Sequence, residues 1–138
     1  MTALDTNILI GIMVSSSSFH KETLESLKNL DDSLCTTPTN IGEVLRLLTH
    51  HKVFPSPLKL EKAVEALDQL IEAYDIRILD EDIFWWKELP AIAKQILGLK
   101  GNEVFDARIA LCLKQHKVKK LFTRDSDFKK YPFLQTRI

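Results

Sequence analysis

The chain has 138 residues, 45% of them hydrophobic, and its 19 basic and 19 acidic side chains cancel to a formal charge of zero. That length fits one globular domain over residues 1–138, and the zero balance argues against holding nucleic acid through bulk positive charge. No apolar run approaches the ~20 residues that a membrane span needs, and the opening MTALDTNILI has neither a basic leader nor a small-residue cleavage site, so a cytoplasmic protein beginning near Met1 is expected.

Met1 to Leu4 is an apolar run of strand length, followed by Asp5 at the start of a helix beginning at Thr6. After the polar loop Ser15 to Ser18, the segment Phe19 to Leu30 sets Leu24, Leu27 and Leu30 on one helical face, and Ser33 to Thr36 reads as a second strand. Thr37-Pro38 opens a helix in which Ile41, Val44, Leu45 and Leu48 recur at helical spacing, because proline is accepted in a first turn. Ser56-Pro57 predicts another helix start, with Leu60, Val64, Leu67, Leu70 and Ile71 as the buried stripe. Ile76 to Leu79 is a third strand. Asp82 to Leu97 is a helical stretch whose core stripe is Trp85, Leu89, Ile92 and Ile96; Phe84 and Trp86 fall off it, and Pro90 disturbs its phase. A helix over Glu103 to His116, a strand over Lys120 to Phe122 and a last strand over Leu134 to Ile138 complete the chain. Cys35 and Cys112 lie inside apolar runs without any CxxC or Cys/His spacing, which makes them buried free thiols rather than zinc ligands or a bridge.

Strands that alternate with helices of ten or more residues imply parallel pairing, since a parallel strand returns only through a long crossover. In such an α/β sheet ligands bind at the carboxyl ends of the strands, so acids that follow strands are the ones to inspect. Asp5 closes the first strand; it is either the N-cap of the next helix or a ligand. Asp106 shares a helical face with Ile109, Ala110 and Leu113, which carries a carboxylate onto the covered side, although a first-turn acid also suits the helix dipole. Asp125 and Asp127 follow the strand Lys120 to Phe122, where an Asx-turn is the plain alternative. The spacing there is not an EF-hand, which needs a Gly at its sixth position and a Glu at its twelfth. Glu43 points roughly opposite the stripe of its helix, so its default is a solvated face. Asn40 and Leu47 share its side, and a helix sandwiched between the sheet and a neighbour would bring Glu43 over the strand ends.

Charge is divided unevenly. Residues 1–93 hold 8 Lys and Arg against 15 Asp and Glu, whereas residues 94–138 hold 11 against 4. Lys117, Lys119, Lys120 and Arg124 lie in the densest basic stretch and are candidates for contacts to an RNA backbone, with a solvated edge as the alternative.

ALDTNILI near the start, NIGEVLRLL at 40–48, VFDARIA at 104–110 and FTRDSDF at 122–128 resemble, in order, the four acidic motifs of the PIN-domain ribonuclease family. Each motif is short, but four in the right order on the expected elements make a specific combination. The resemblance implies a three-layer α/β/α sandwich with a central, mainly parallel sheet, and a metal-dependent nuclease in which Asp5, Glu43, Asp106 and Asp125 occupy the acidic positions. Asn7 and Thr123 match the polar supporting positions, and Asp127 looks like an auxiliary acid. Length and layout are similar to the VapC-like toxins of toxin–antitoxin pairs, which makes an antitoxin protein, or a second copy of the chain, the candidate partner; Phe84 and Trp86 read first as ordinary core packing, with an apolar patch that faces such a partner as the alternative.

Phosphodiester hydrolysis needs an activated water and neutralised charge on the phosphate, which Mg²⁺ or Mn²⁺ supplies when held by carboxylates without His or Cys. On this reading Asp5, Glu43, Asp106 and Asp125 bind metal and orient water, with Asp127 behind them. The competing expectations are a non-catalytic PIN-like module for RNA binding or assembly, and a receiver-like domain, which would need a paired acid in LDTN and a matched lysine.

Overall fold

The computed structural model describes residues 1–137. Five parallel strands form one sheet in the order β3-β2-β1-β4-β5, where β1 is Thr2–Leu4, β2 Leu34–Thr36, β3 Arg77–Ile78, β4 Lys120–Phe122 and β5 Gln135–Arg137. The final residue of the expected last strand, Ile138, lies outside the described residues. The helices are α1 (Thr6–Met13), α2 (His20–Lys28), α3 (Pro38–Leu48), α4 (Leu60–Ala73), α5 (Leu89–Gln95) and α6 (Glu103–Gln115). No helix among the described residues is long and apolar enough to cross a membrane.

Because successive strand residues face opposite ways, each strand feeds two cores. Ala3, Cys35 and Leu121 enter the layer made with α5 and α6, around Ile109, Leu113, Phe128 and Tyr131. Leu4 and Phe122, one residue on, enter the layer of α1, α3 and α4, around Ile8, Val44 and Leu67. The result is the three-layer α/β/α sandwich the motifs imply. Both cysteines are buried and free, and burial raises their thiols to about 11 for Cys35 and about 12 for Cys112.

Two helices depart from the sequence reading. The one expected from Ser56-Pro57 begins at Leu60, because the Leu58 N–H donates to Leu48 O (2.9 Å) and holds that stretch against the end of α3. Its buried stripe is Ala63, Leu67 and Leu70, while Leu60 and Val64 are exposed. α4 packs against α1 and α3, and the small Ala63 faces them where the bulkier Val64 was expected. The stretch Asp82 to Leu97 divides into a 3₁₀ turn, Trp85–Glu88, and the short α5. Pro90 has no N–H to donate and is accepted only in the first turn, so the helix restarts around it. Ile92 and Ile96 are buried as the stripe requires, but Trp85 is only half-buried, under the guanidinium of Arg108 (4.2 Å).

The chain runs outward from β1 to β2 and β3, then crosses back to place β4 on β1's other side. The sheet therefore changes direction between β1 and β4, and a crevice opens outside their carboxyl ends. Asp5 leaves one of those ends and Thr123 the other, tied by Asp5 N–H to Phe122 O at 3.0 Å.

Candidate functional site

Three strand ends and two helices build the site. β1 ends in Asp5, which caps α1 by accepting from Thr6 N (2.8 Å). β2 ends in Thr37, the cap of α3, whose Oγ1 accepts from Asn40 N (3.3 Å) and donates to Asn40 Oδ1 (2.7 Å). That cap fixes the Asn40 amide so that its Nδ2 donates to Asp5 Oδ1 and to Thr6 Oγ1, both at 3.0 Å. β4 ends in Thr123, whose hydroxyl donates to Asp5 Oδ2 (2.5 Å) and accepts from Asp125 N (2.9 Å). Asn7 joins the same network, donating to Asp5 Oδ2 (3.3 Å) and accepting from Arg124 N (3.1 Å).

Asp5 is thus a buried carboxylate with both oxygens spoken for. Burial raises its pKa, against the lowering effect of the Thr123, Thr6 and Asn40 bonds, and the charge of Asp125 raises it further. Of its two sequence alternatives the structure shows the cap: it caps α1, and through Thr123 it fixes the backbone at Asp125.

Asp106, Asp125 and Asp127 each offer one oxygen, all within 4.8 Å of one another. Two unit charges at that separation repel by about 3.5 kcal/mol at an effective dielectric near 20. Asp127 N donates to Asp125 Oδ1 (2.9 Å), an Asx-turn that curls the exposed Asp127 back toward Asp106. The structure so gathers Asp127 into the same cluster as Asp106 and Asp125. Asp106 accepts no hydrogen bond from the described residues. Burial pushes it up to about 7, aided by the charges of Asp125, Asp5 and Glu43, with Lys130 opposing.

Glu43 reaches the same crevice. α3 packs on both α1 and α6, so the side of α3 opposite its core stripe is also covered, and Glu43 Oε2 accepts from Thr6 Oγ1 (3.2 Å). Its other oxygen, Oε1, is buried with no partner among the described residues. Burial, then the charge of Asp5, raises its pKa. Glu43, Asp106, Asp125 and Asp127 line an open cavity of about 860 Å³, with Asp5 beneath it.

The donor set is oxygen only, its acids repel one another, and Glu43 Oε1 lacks a partner. All three observations suit a hard divalent cation such as Mg²⁺ or Mn²⁺.

The basic residues chosen from sequence do not join this crevice. Lys117, Lys119 and Lys120 stand at the amino end of β4, across the sheet from the acids, and Lys120 Nζ pairs with Asp32 (3.5 Å). Arg124 is close to the site but committed to the fold: it lies over the Phe19 ring (4.1 Å), donates to Thr23 Oγ1 (3.1 Å) and pairs with Glu22 (3.6 Å). The cations at the crevice are Arg46 and Arg108 on its wall and Lys130 near Asp106. Arg108 is held by Glu81 in a two-point pair, and Lys130 Nζ pairs with Glu103 (3.2 Å); Arg46 and Lys130 are the rim cations that sequence reasoning missed, Arg46 being the one without an acid partner among the described residues. Arg46 was findable, since it follows Glu43 by three residues and so shares its face. Asn40 and Thr6 were also missed as supports, for their roles depend on contacts across 30 or more residues.

A model of the PIN domain matches residues 2–134. The chain is 26% identical to Ribonuclease VapC6 of Methanocaldococcus jannaschii over 147 residues, covering 96% of this chain and 93% of that one. Its fold is similar to that of Mycobacterium tuberculosis VapC20, described as a Sarcin-Ricin loop cleaving toxin, at a TM-score of 0.75 and 13% identity with both chains wholly covered. It is also similar to VapBC2 from Rickettsia felis, bound to a DNA fragment from their promoter, at a TM-score of 0.65 and 22% identity over 99% of this chain and 96% of that one.

Proposed function

We propose, because the chain belongs to the PIN domain family, that it is a divalent-metal-dependent endoribonuclease acting in the cytoplasm as the toxin of a toxin–antitoxin pair. The observation that carries the chemistry is the gathering of Glu43, Asp106, Asp125 and Asp127 into one crevice over the buried Asp5. The name of the archaeal relative, a ribonuclease, supports RNA as substrate, and the VapBC assembly supports an antitoxin as protein partner.

On this reading Asp5, Glu43, Asp106 and Asp125 form the Mg²⁺ or Mn²⁺ site, and Asp127 completes its solvent side. When bound, the cation neutralises phosphate charge and makes an activated water available at neutral pH. Asp106, pushed up to about 7, would give up its proton on holding a cation, so metal uptake would release protons. Asn7 and Thr123 hold Asp5 and the backbone at Asp125 in register, so the acids need little rearrangement when substrate arrives. Arg46 and Lys130 meet the RNA backbone at the rim. Hydrolysis there would form a bond from the water oxygen to phosphorus and break the one to the 3′ oxygen, the proton that water loses ending on that oxygen, which leaves 5′-phosphate and 3′-hydroxyl ends. Titrating Mn²⁺ into the chelated protein with structured RNA, and analysing the ends, tests this. Cleavage that persists in chelator, or 2′,3′-cyclic phosphate ends, would refute it.

A further inference from the structure

The cavity that holds the acids is not lined by acids alone. α6 enters it with Asn102 at its N-cap, then Phe105, then Asp106, residues that share a helix face at spacings of three and four. Asn is a preferred cap, and its value there lies in the bond that its side chain accepts from the first turn. Asn102 makes no such bond: the turn closes through its backbone, with Phe105 N donating to Asn102 O (3.1 Å), and the side-chain amide is left exposed at the cavity.

Phe105 is 49% exposed beside Asp106. The other large rings at the surface are mostly engaged, Phe19 beneath Arg124 and Phe84 edge-on to Trp86, whereas Phe105 has neither an aromatic nor a cationic partner among the described residues. An apolar ring held open next to a strongly acidic site gains nothing for that site's electrostatics. It does have the chemistry that an unstacked nucleobase requires, a flat apolar face with an adjacent amide able both to donate and to accept at the base edge.

We infer that Phe105 is a stacking platform for one unpaired nucleobase next to the phosphate held at the acids, with Asn102 reading that base's edge. This rests on the ribonuclease reading for its substrate class, and it adds how the RNA is gripped: as a locally single-stranded segment with one base turned onto α6. A base adjoining the reacting phosphate is one sugar away from it, which matches consecutive residues in the chain supplying the ring and the carboxylate. The rim cation Arg46 lines the same cavity and takes the neighbouring phosphate.

The test uses the full chain with Ca²⁺ in place of Mg²⁺, and three probes: an adenosine tetranucleotide, a uridine tetranucleotide and a ribose-phosphate tetramer without bases. The native protein binds the adenosine probe more tightly than the abasic one by roughly 5- to 150-fold, the range for a single stacked base, with uridine between. Phe105→Ala removes most of that preference without changing the melting temperature, and Phe105→Trp keeps it. Asn102→Ala narrows the difference between adenosine and uridine while leaving both above the abasic probe. A native protein that does not prefer bases, or a Phe105→Ala protein that keeps the preference, overturns the inference. So does a Phe105→Ala change confined to the monomer–dimer balance, which would assign the ring to a second copy. Mn²⁺-dependent cleavage of structured RNA is scored separately: cleavage without base preference sinks only the platform, and base preference without cleavage sinks only the hydrolase.

Discussion

Replacing Asp106 by Asn separates a metal-site carboxylate from an ordinary first-turn acid of α6. Asp106 accepts no hydrogen bond from the described residues, so Asn leaves no bond broken, and it keeps the side chain's size. Its pKa is raised from 3.8 to about 7, mainly by burial and then by Asp125, Asp5 and Glu43. The native state therefore holds a proton that the unfolded chain has released. The contribution of this group to the stability of the metal-free protein should fall as pH rises from about 4 to about 7 and be level above that. Taken whole, such a shift amounts to about 4 kcal/mol; at a partly exposed site with solvent screening roughly half is realistic, about 2 kcal/mol. Asp106→Asn escapes this penalty. In chelator at pH 7.5 it should melt higher than the native protein by roughly 6 to 10 °C, an advantage that shrinks by more than half at pH 5 and vanishes near pH 4. Saturating Mn²⁺ stabilises the native protein by RT ln(1 + [L]/Kd), about 2.7 kcal/mol at a hundredfold excess, and the variant by less because a ligand is gone. The order should then close or reverse. Melting curves of both proteins at two pH values, with chelator and with Mn²⁺, decide it. A variant less stable by the same ~0.3 to 1 kcal/mol in every condition is what a first-turn dipole partner gives, and it would remove Asp106 from the site.

In single-turnover assays with Mn²⁺, Asp5→Asn, Asp106→Asn and Asp125→Asn should each lower RNA cleavage at least about 100-fold, and Asp127→Asn by roughly 10- to 100-fold; a fully active Asp5 variant would break the four-acid assignment. Replacing Lys117, Lys119 and Lys120 together by Ala should leave the log–log salt slope of RNA binding unchanged, while Arg46→Ala with Lys130→Ala should reduce it by about 0.7 to 0.9 per lost contact. The opposite pattern would move the RNA track to the amino edge of the sheet. Asn40→Ala withdraws donors from Asp5 and Thr6 and should destabilise the protein by about 1 to 3 kcal/mol with or without metal. A metal-dependent loss would instead make Asn40 part of the cation site.

The elements readable in the sequence were those with one dominant signal. Thr37-Pro38 marks the start of α3, and Ile109, Ala110 and Leu113 fix the phase of α6, which carries Asp106 to the covered side. The acids after β1 and β4 were legible because strand ends in a parallel sheet converge at its switch point. Less was legible where two faces of one helix compete. α4 offers both Leu60 with Val64 and Ala63 with Leu67, and only the closeness of α1 and α3 selects the second set. Glu43 posed the same problem with higher stakes. Its own helix assigns it to solvent, and its burial follows from α6 packing on the far side of α3, a fact about residues some 60 positions away.

The place of the basic stretch was illegible for a related physical reason. Density of charge along the chain says nothing about which end of a short strand each charge occupies, and three residues of β4 suffice to carry Lys120 to one edge of the sheet and Thr123 to the other. Between those ends the strand changes role, from a charge paired with Asp32 to the hydroxyl that holds Asp5. Thr123 also explains how a buried acid can serve two demands. A hydroxyl has one proton to give and lone pairs to receive; here the proton goes to Asp5 and a lone pair takes the Asp125 N–H, so the position of one acid is passed to the next without a charge between them. Asp5 alone, fully hydrogen-bonded and below the cavity, resembles a helix cap. Coupled through Thr123 to Asp125, and through Asn40 and Thr6 to Glu43, it sets the spacing of the acids above it, and the scaffold and the site become one network.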